Sequence, residues 1–217
     1  MKNFWIILSI SFMFLVGQAN ADVRFGVSAA YTQIEADGTE TEGGEKNSAS
    51  ASHDVIIPSL FIELEGDKFA LGLDYIPIDA DVSDKTKSRT DTEKSVTGNK
   101  ATTSTTREQK ANAELSDHLT LYATYKLTDT FYVKGGMAQV SLDTTESLGT
   151  GSKYGNVDID GVLYGFGFTD GNSRLELAYT DYDDINLTST VARTGVTTNN
   201  KISADLDTLS LKYSYAF

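Results

Sequence analysis

The feature that most constrains this chain is a two-residue alternation of apolar side chains with polar or small ones, repeated in eight segments. In one of them Leu209, Leu211 and Tyr213 alternate with Ser210 and Lys212. This period places successive side chains on opposite faces of a β-strand, so the sequence predicts an all-β fold. The eight segments lie within residues 23–31, 60–65, 69–75, 119–127, 131–138, 161–168, 174–179 and 209–217.

The links between these segments alternate between short and long. The short links carry turn-forming residues suited to tight hairpins. The short links are residues 65–68, 128–130 and 170–172, and the long polar links are residues 36–52, 82–111, 146–155 and 186–203. Tight turns on one side and long loops on the other are typical of a transmembrane β-barrel with periplasmic turns and extracellular loops. The sequence therefore predicts four long extracellular loops.

Aromatic residues near the ends of the segments favour lipid as the surroundings of this sheet. They match the interfacial girdles of membrane barrels, and a soluble strand seldom ends on an exposed Phe such as Phe217. An open sheet leaves two edges unpaired, which a bilayer does not tolerate. We therefore expect an eight-stranded antiparallel up-and-down barrel whose apolar residues form a lipid-facing band, with no separate large core.

The first 21 residues are predicted to be a cleaved signal peptide. A basic Lys2 precedes an apolar run over residues 4–16, and Ala19 and Ala21 form a small-x-small cleavage site. The run is shorter than the roughly 20 residues that a membrane-spanning helix needs. The barrel domain is then expected to occupy residues 22–217 and to be exported.

Composition excludes several classes of function. The chain has 18 Lys and Arg against 31 Asp and Glu, a net charge of −13, which argues against nucleic-acid binding. It has no cysteine, which excludes disulfides and thiolate metal sites. Its two histidines, His53 and His118, leave little room for metal chemistry, so we expect no metal and no cofactor.

The chain resembles the small outer-membrane β-barrels of Gram-negative bacteria, of the opacity and outer-membrane-protein-A/X type. The resemblance lies in the signal peptide, the eight alternating strands and the final Tyr213-x-Tyr215-x-Phe217. It implies outer-membrane lipid, including lipopolysaccharide, as surroundings. It also implies that the barrel-assembly machinery reads Tyr213, Tyr215 and Phe217 during insertion. The resemblance covers nearly all of residues 22–217 and is specific for architecture rather than for activity.

Charged residues on the face opposite the apolar one are predicted to point into the lumen. Eight strands enclose a space about wide enough for side chains to fill. Paired charges cost less there than isolated ones, so we expect an interior closed by ion pairs. A narrow pore for ions or small solutes is the alternative. The predicted network consists of Glu63, Asp74, Lys126, Lys134, Arg174, Glu176 and Lys212.

The longest link, residues 82–111, is basic in an otherwise acidic protein, with seven Lys and Arg against four Asp and Glu. Its basic residues are Lys85, Lys87, Arg89, Lys94, Lys100, Arg107 and Lys110. We expect them to contact lipopolysaccharide phosphates or an unidentified extracellular ligand. A polar hairpin that continues the strands is the plainer interpretation of this link. The favoured function is non-enzymatic: envelope structure and adhesion-like surface interaction.

A lipid-modifying hydrolase at the rim is the second alternative. By alternation, His118 shares a strand face with Ser116 and Thr120, and Asp117 is adjacent in sequence. Nucleophilic catalysis needs a base beside a hydroxyl and an acid to orient that base. A histidine near a strand start is more often a solvated rim residue, so we expect no catalytic site.

Overall fold

The computed structural model describes residues 21–42, 45–82, 87–97, 100–147, 153–190 and 199–217. The predicted signal peptide lies outside these ranges, apart from Ala21. No helix within the described ranges has the length and apolar character needed to cross a membrane.

All regular structure in the described residues belongs to one antiparallel sheet of eleven strands. The strands are β1 (Asp22–Glu42), β2 (Glu45–Glu65), β3 (Phe69–Tyr75), β4 (Ala80–Asp81), β5 (Lys87–Thr97), β6 (Lys100–Lys126), β7 (Phe131–Ser147), β8 (Val157–Asp170), β9 (Ser173–Tyr182), β10 (Ile185–Thr188) and β11 (Lys201–Ala216). Eight of them pair in the order β1-β2-β3-β6-β7-β8-β9-β11. Of the others, β4 and β5 pair with β6, and β10 pairs with β11.

The first and last strands close the sheet into a ring. β1 pairs with β11 from Gly26↔Ala216 to Thr41↔Lys201. Each of the eight strands therefore has two hydrogen-bonded neighbours, and the ring has no free edge. The predicted eight-stranded antiparallel barrel is confirmed.

Large apolar side chains cover the outside of the ring near the end that carries the tight turns, here called the turn end. Phe25 is 57% exposed and Phe217 is 72% exposed, whereas the inward-pointing Ser28 and Ala216 are buried. The other strands show the same alternation, as the sequence predicts. Outward residues of this apolar band include Val27, Tyr31, Leu60, Ile62, Phe69, Tyr75, Val133, Val162, Tyr164, Phe166, Phe168, Leu175, Leu177, Leu209, Leu211, Tyr213 and Tyr215.

Two of the long links that the sequence predicts as loops are strands. β1 and β2 pair without interruption from Asp22↔Glu65 to Glu42↔Glu45. β5 pairs with β6 over most of residues 82–111. Beyond the apolar band, outward positions carry residues such as Ser50 and Ser52, so the apolar alternation fades while the hydrogen-bonded ladder continues. This long-strand side of the barrel is called the extended end.

The expectation that the barrel lacks a separate core is wrong. Among the described residues, thirteen buried hydrophobic ones form a cluster inside the barrel towards the extended end. Ile34, Val140 and Leu206 are at most 2% exposed. Inward positions there are shielded by the surrounding wall, so apolar side chains can pack against one another across the lumen. The barrel thus has an apolar band outside and an apolar cluster inside.

Candidate functional site

The interior of the barrel is the candidate site, and it has three layers. Charged side chains lie nearest the turn end, His118 and Tyr182 lie above them, and the apolar cluster lies towards the extended end. Inward residues reach this space from all eight strands of the ring, because the two-residue period sends every second side chain to the interior.

The centre of the charged layer is Glu63 on β2, whose side chain is fully buried. The guanidinium of Arg174 on β9 donates to both carboxylate oxygens of Glu63, at 2.8 and 2.7 Å. The hydroxyl of Tyr122 on β6 donates to Glu63 at 2.9 Å. These bonds satisfy the buried carboxylate from two separate strands, which is the condition for a buried charge to persist.

A second group surrounds Glu65, closer to the turn end. Arg24 on β1 donates to Glu65 at 2.7 Å, and Lys126 on β6 donates at 2.6 Å. Arg174 lies 3.4 Å from Glu65 and so joins the two groups. Arg24 and Glu65 are absent from the predicted network, although their alternation placed both on the inward face.

The remaining pairs connect the other walls. Lys134 on β7 donates to Glu176 on β9 at 2.8 Å, and the Tyr132 hydroxyl donates to the same carboxylate at 3.0 Å. Lys212 on β11 donates to Asp74 on β3 at 2.9 Å. All seven residues of the predicted network therefore lie inside the barrel and form ion pairs with one another or with Glu65.

Two tyrosines take part in the charged layer because glycines face them. A Cβ atom on Gly72 would lie 2.3 Å from the Tyr122 ring, and a Cβ on Gly167 would lie 2.5 Å from the Tyr132 ring. Such distances are sterically forbidden, so each ring uses the space that its glycine leaves. Lys134 also lies 4.0 Å above the centre of the Tyr122 ring. The two rings therefore occupy lumen space within the charged layer.

His118 lies at an irregularity of β6, where the register with β7 shifts between Ser116 and Leu119. Its Nε2 shares a hydrogen bond with the Tyr182 hydroxyl at 2.9 Å. The Ser116 hydroxyl donates instead to Asp143 on β7. Asp117 has a positive φ of 50°, which marks the local distortion. The shift separates Ser116 from His118, so the grouping on which the hydrolase alternative depends does not form.

Six of the seven basic candidates of the longest link lie in one hairpin. Lys87, Arg89 and Lys94 lie in β5, and Lys100, Arg107 and Lys110 lie in β6. Backbone pairing places Arg89 opposite Gln109 and Asp91 opposite Arg107. Lys85 lies outside the described residues. The hairpin therefore brings six of the seven basic residues into one element of the extended end.

The outside of the barrel decides where the protein resides. A closed ring with an outward apolar band and aromatic residues near both margins of that band is the construction of outer-membrane barrels. The protein is an outer-membrane β-barrel. Tyr213, Tyr215 and Phe217 lie on the outside of this barrel, and the Phe217 amide donates to the Phe25 carbonyl at 2.7 Å.

Known proteins provide a separate comparison for this outer-membrane barrel. No family model matches the sequence, and no curated protein matches it. Among solved structures, Neisserial surface protein A is 14% identical, with 89% of this chain and 97% of that chain covered and a TM-score of 0.41. Ail, the attachment invasion locus protein of Yersinia pestis, is 12% identical over 88% and 99% of the chains, with a TM-score of 0.39. The outer membrane protein AlkL is 16% identical over 89% and 90%, with a TM-score of 0.47.

Proposed function

We propose that this outer-membrane barrel is a non-enzymatic envelope protein that interacts with other molecules at the cell surface through its extended end. The observation that carries the proposal is the length of the ladder beyond the apolar band. β6 runs from Lys100 to Lys126, and its outward apolar residues begin only at Leu119. The preceding 19 residues correspond to roughly 60 Å of strand. A membrane crossing needs only about 9–11 residues, so this length serves something outside the bilayer.

The extended end suits binding because it is built from paired strands. The β1–β2 hairpin and the β5–β6 hairpin hold their residues in fixed register. Residues presented on such a ladder lose less conformational freedom on binding than residues of an unpaired loop. The backbone pairing of these residues is in place before a partner arrives.

The chemistry of the β5–β6 hairpin favours an anionic partner. Its basic residues outnumber its acidic residues in a protein of net charge −13. Lysine and arginine form their strongest hydrogen bonds with phosphate and carboxylate groups. Lipopolysaccharide phosphates lie in the same leaflet, so they are the partner that we propose first.

Two alternatives from the sequence receive less support. A narrow pore would have to pass both the ion-paired layer and the apolar cluster. A rim hydrolase would need a nucleophile beside His118, where the structure has Tyr182.

We propose further that residues 1–21 are removed on export, and that Tyr213, Tyr215 and Phe217 form the barrel-assembly signal.

The test is a charge-removal variant of the hairpin, with Lys87, Arg89, Lys94 and Arg107 changed to Gln. The matched control changes Thr90, Thr92, Thr105 and Thr106 to Ser in the same hairpin. Binding of purified lipopolysaccharide to protein in neutral-lipid nanodiscs is measured at two salt concentrations. We expect at least tenfold weaker binding for the Gln variant, wild-type binding for the Ser control, and weaker wild-type binding at higher salt. Equal binding by all three proteins would contradict the proposal that the basic residues of this hairpin bind lipopolysaccharide.

A further inference from the structure

The apolar interior of the extended end contains a cavity of about 260 Å³. Its wall comes from strands on all sides of the ring and consists mainly of small or branched apolar residues. Representative lining residues are Ala51, Ala113, Leu142, Ile185, Leu187 and Ile202. From the cavity and its surroundings, we infer that the extended end of the barrel binds an uncharged hydrocarbon ligand of about ten carbon atoms.

Four of the polar side chains that line the cavity, those of Asn112, Thr144, Glu146 and Tyr154, are hydrogen-bonded to protein groups. Glu146 is the one charged side chain among the described residues that line it. Its Oε1 accepts hydrogen bonds from the Thr144 hydroxyl at 2.6 Å and from the Tyr154 amide at 2.9 Å. The Asn112 amide donates to Asp81 at 3.1 Å. An anionic ligand would lose its water without gaining a counter-charge, which argues against anions as occupants.

Both ends of the cavity have a definite boundary. On the inner side, Leu206 belongs to the buried cluster with Ile34 and Val140, above the His118–Tyr182 pair and the charged layer. On the outer side, Tyr154 extends from the link between β7 and β8, and its hydroxyl donates to Glu40 on β1 at 2.7 Å. Since β7 and β8 lie across the ring from β1, this side chain bridges the mouth. The described residues therefore bound this space on both sides, as a cavity of the extended end.

The size of the cavity sets the size of the ligand. An apolar protein cavity of about 150 Å³ stays dry and binds benzene, which has six carbon atoms. By the same scale, a cavity of about 260 Å³ suits a ligand of about ten heavy atoms. Naphthalene has this size and no charge, and it is a suitable probe. 2-Naphthoate has nearly the same shape with a carboxylate, so it tests the requirement for an uncharged ligand.

The experiment is a naphthalene titration of the full barrel in lipid nanodiscs, followed by methyl NMR of labelled Ile and Leu residues. Ile185, Leu187 and Ile202 report on the cavity, whereas Leu60 and Leu211 on the outer face report on naphthalene dissolved in the bilayer. We expect saturable shifts for the cavity methyl groups and small linear shifts for the outer ones. 2-Naphthoate is expected to leave the cavity methyl groups unchanged. Linear shifts at every methyl group would overturn the inference.

A second experiment uses variants in which a larger side chain fills the cavity. Ala113→Phe places a ring in the cavity, and Ala29→Phe places the same ring on the lipid-facing side of β1 as a control. We expect at least tenfold weaker naphthalene binding for Ala113→Phe and wild-type binding for Ala29→Phe. If Ala113→Phe loses the gel shift of a folded barrel, Ala204→Leu replaces it with the same expected loss. Unchanged affinity in the folded filling variant would contradict a ligand site in this cavity.

Discussion

Glu63 on β2 and Arg174 on β9 form a two-point ion pair across the barrel lumen, with hydrogen bonds of 2.8 and 2.7 Å. The glutamate side chain is fully buried and that of the arginine is 11% exposed. β2 and β9 are not neighbours in the ring, so the pair ties two distant parts of the wall together. Removing either partner would leave a buried charge without a counter-charge, which should lower the free energy of unfolding.

The first prediction is that Glu63→Gln destabilises the barrel by about 3 kcal/mol, because removing one partner of a buried pair leaves the other charge uncompensated. The measurement is urea unfolding of protein refolded in lipid vesicles. The control is Lys126→Gln at the turn end, whose side chain is 29% exposed and whose loss should cost about 1 kcal/mol or less.

A double-variant cycle completes this test. Glu63→Gln combined with Arg174→Gln should cost clearly less than the sum of the two single changes, since no isolated charge then remains at the pair. Additive losses would mean that Glu63 and Arg174 contribute independently and that the ion pair does not couple β2 to β9.

The second prediction concerns Gly167, which leaves room for the Tyr132 ring. Gly167→Ala places a Cβ atom 2.5 Å from that ring. The ring must move, and its bond to Glu176 is lost, so we expect destabilisation of about 1–3 kcal/mol. The matched control is Gly135→Ala, where the nearest atom is the Leu163 carbonyl oxygen at 3.9 Å, and no comparable loss is expected there. Similar unfolding midpoints for both variants would contradict a steric role for Gly167.

Alternation along the strands was sufficient to predict much of this fold and part of the site. It identifies which residues of each strand face inward, including Glu63, Glu176 and Lys134. It cannot say which of them meet, because Arg174 reaches Glu63 only through the stagger of strands that are far apart in the ring. The sequence alternation also does not reveal the register shift at Asp117, so it predicts His118 on the same strand face as Ser116.

The extended end was harder to predict for a different reason. In the β1–β2 hairpin the outward positions no longer need apolar side chains, so serine and threonine make the strands resemble loops in sequence. The inward residues there, such as Ala36 and Ala51, are too small to form a strong apolar pattern. The inner cluster is assembled from single residues of many strands, and no local segment shows it.

The third prediction is that the wild-type barrel does not conduct ions in planar bilayers, because two barriers act in series. Ion-paired side chains cross the lumen in the charged layer, and the buried side chains of Ile34, Val140 and Leu206 offer a permeating ion no polar partner. The double variant with Glu63→Ser and Arg174→Ser should therefore also show no ion conductance. Conductance is expected only when Val140→Ser and Leu206→Ser are added. Discrete openings of the wild-type protein would support the pore alternative.

The last prediction separates assembly from stability at Phe217, whose side chain is 72% exposed on the outer face while its amide donates to the Phe25 carbonyl. Phe217→Ala keeps this backbone bond and removes only lipid-facing surface. If the assembly machinery reads this ring, the variant should show a reduced folded fraction in cell envelopes, measured as the gel shift between unboiled and boiled samples. The same protein refolded in vesicles should have a near wild-type urea midpoint. Leu209→Ala, which removes an exposed side chain of β11, should leave both readouts close to wild type. A loss of equal size for Leu209→Ala in cells would show that the effect follows lipid-facing area and not recognition of Phe217.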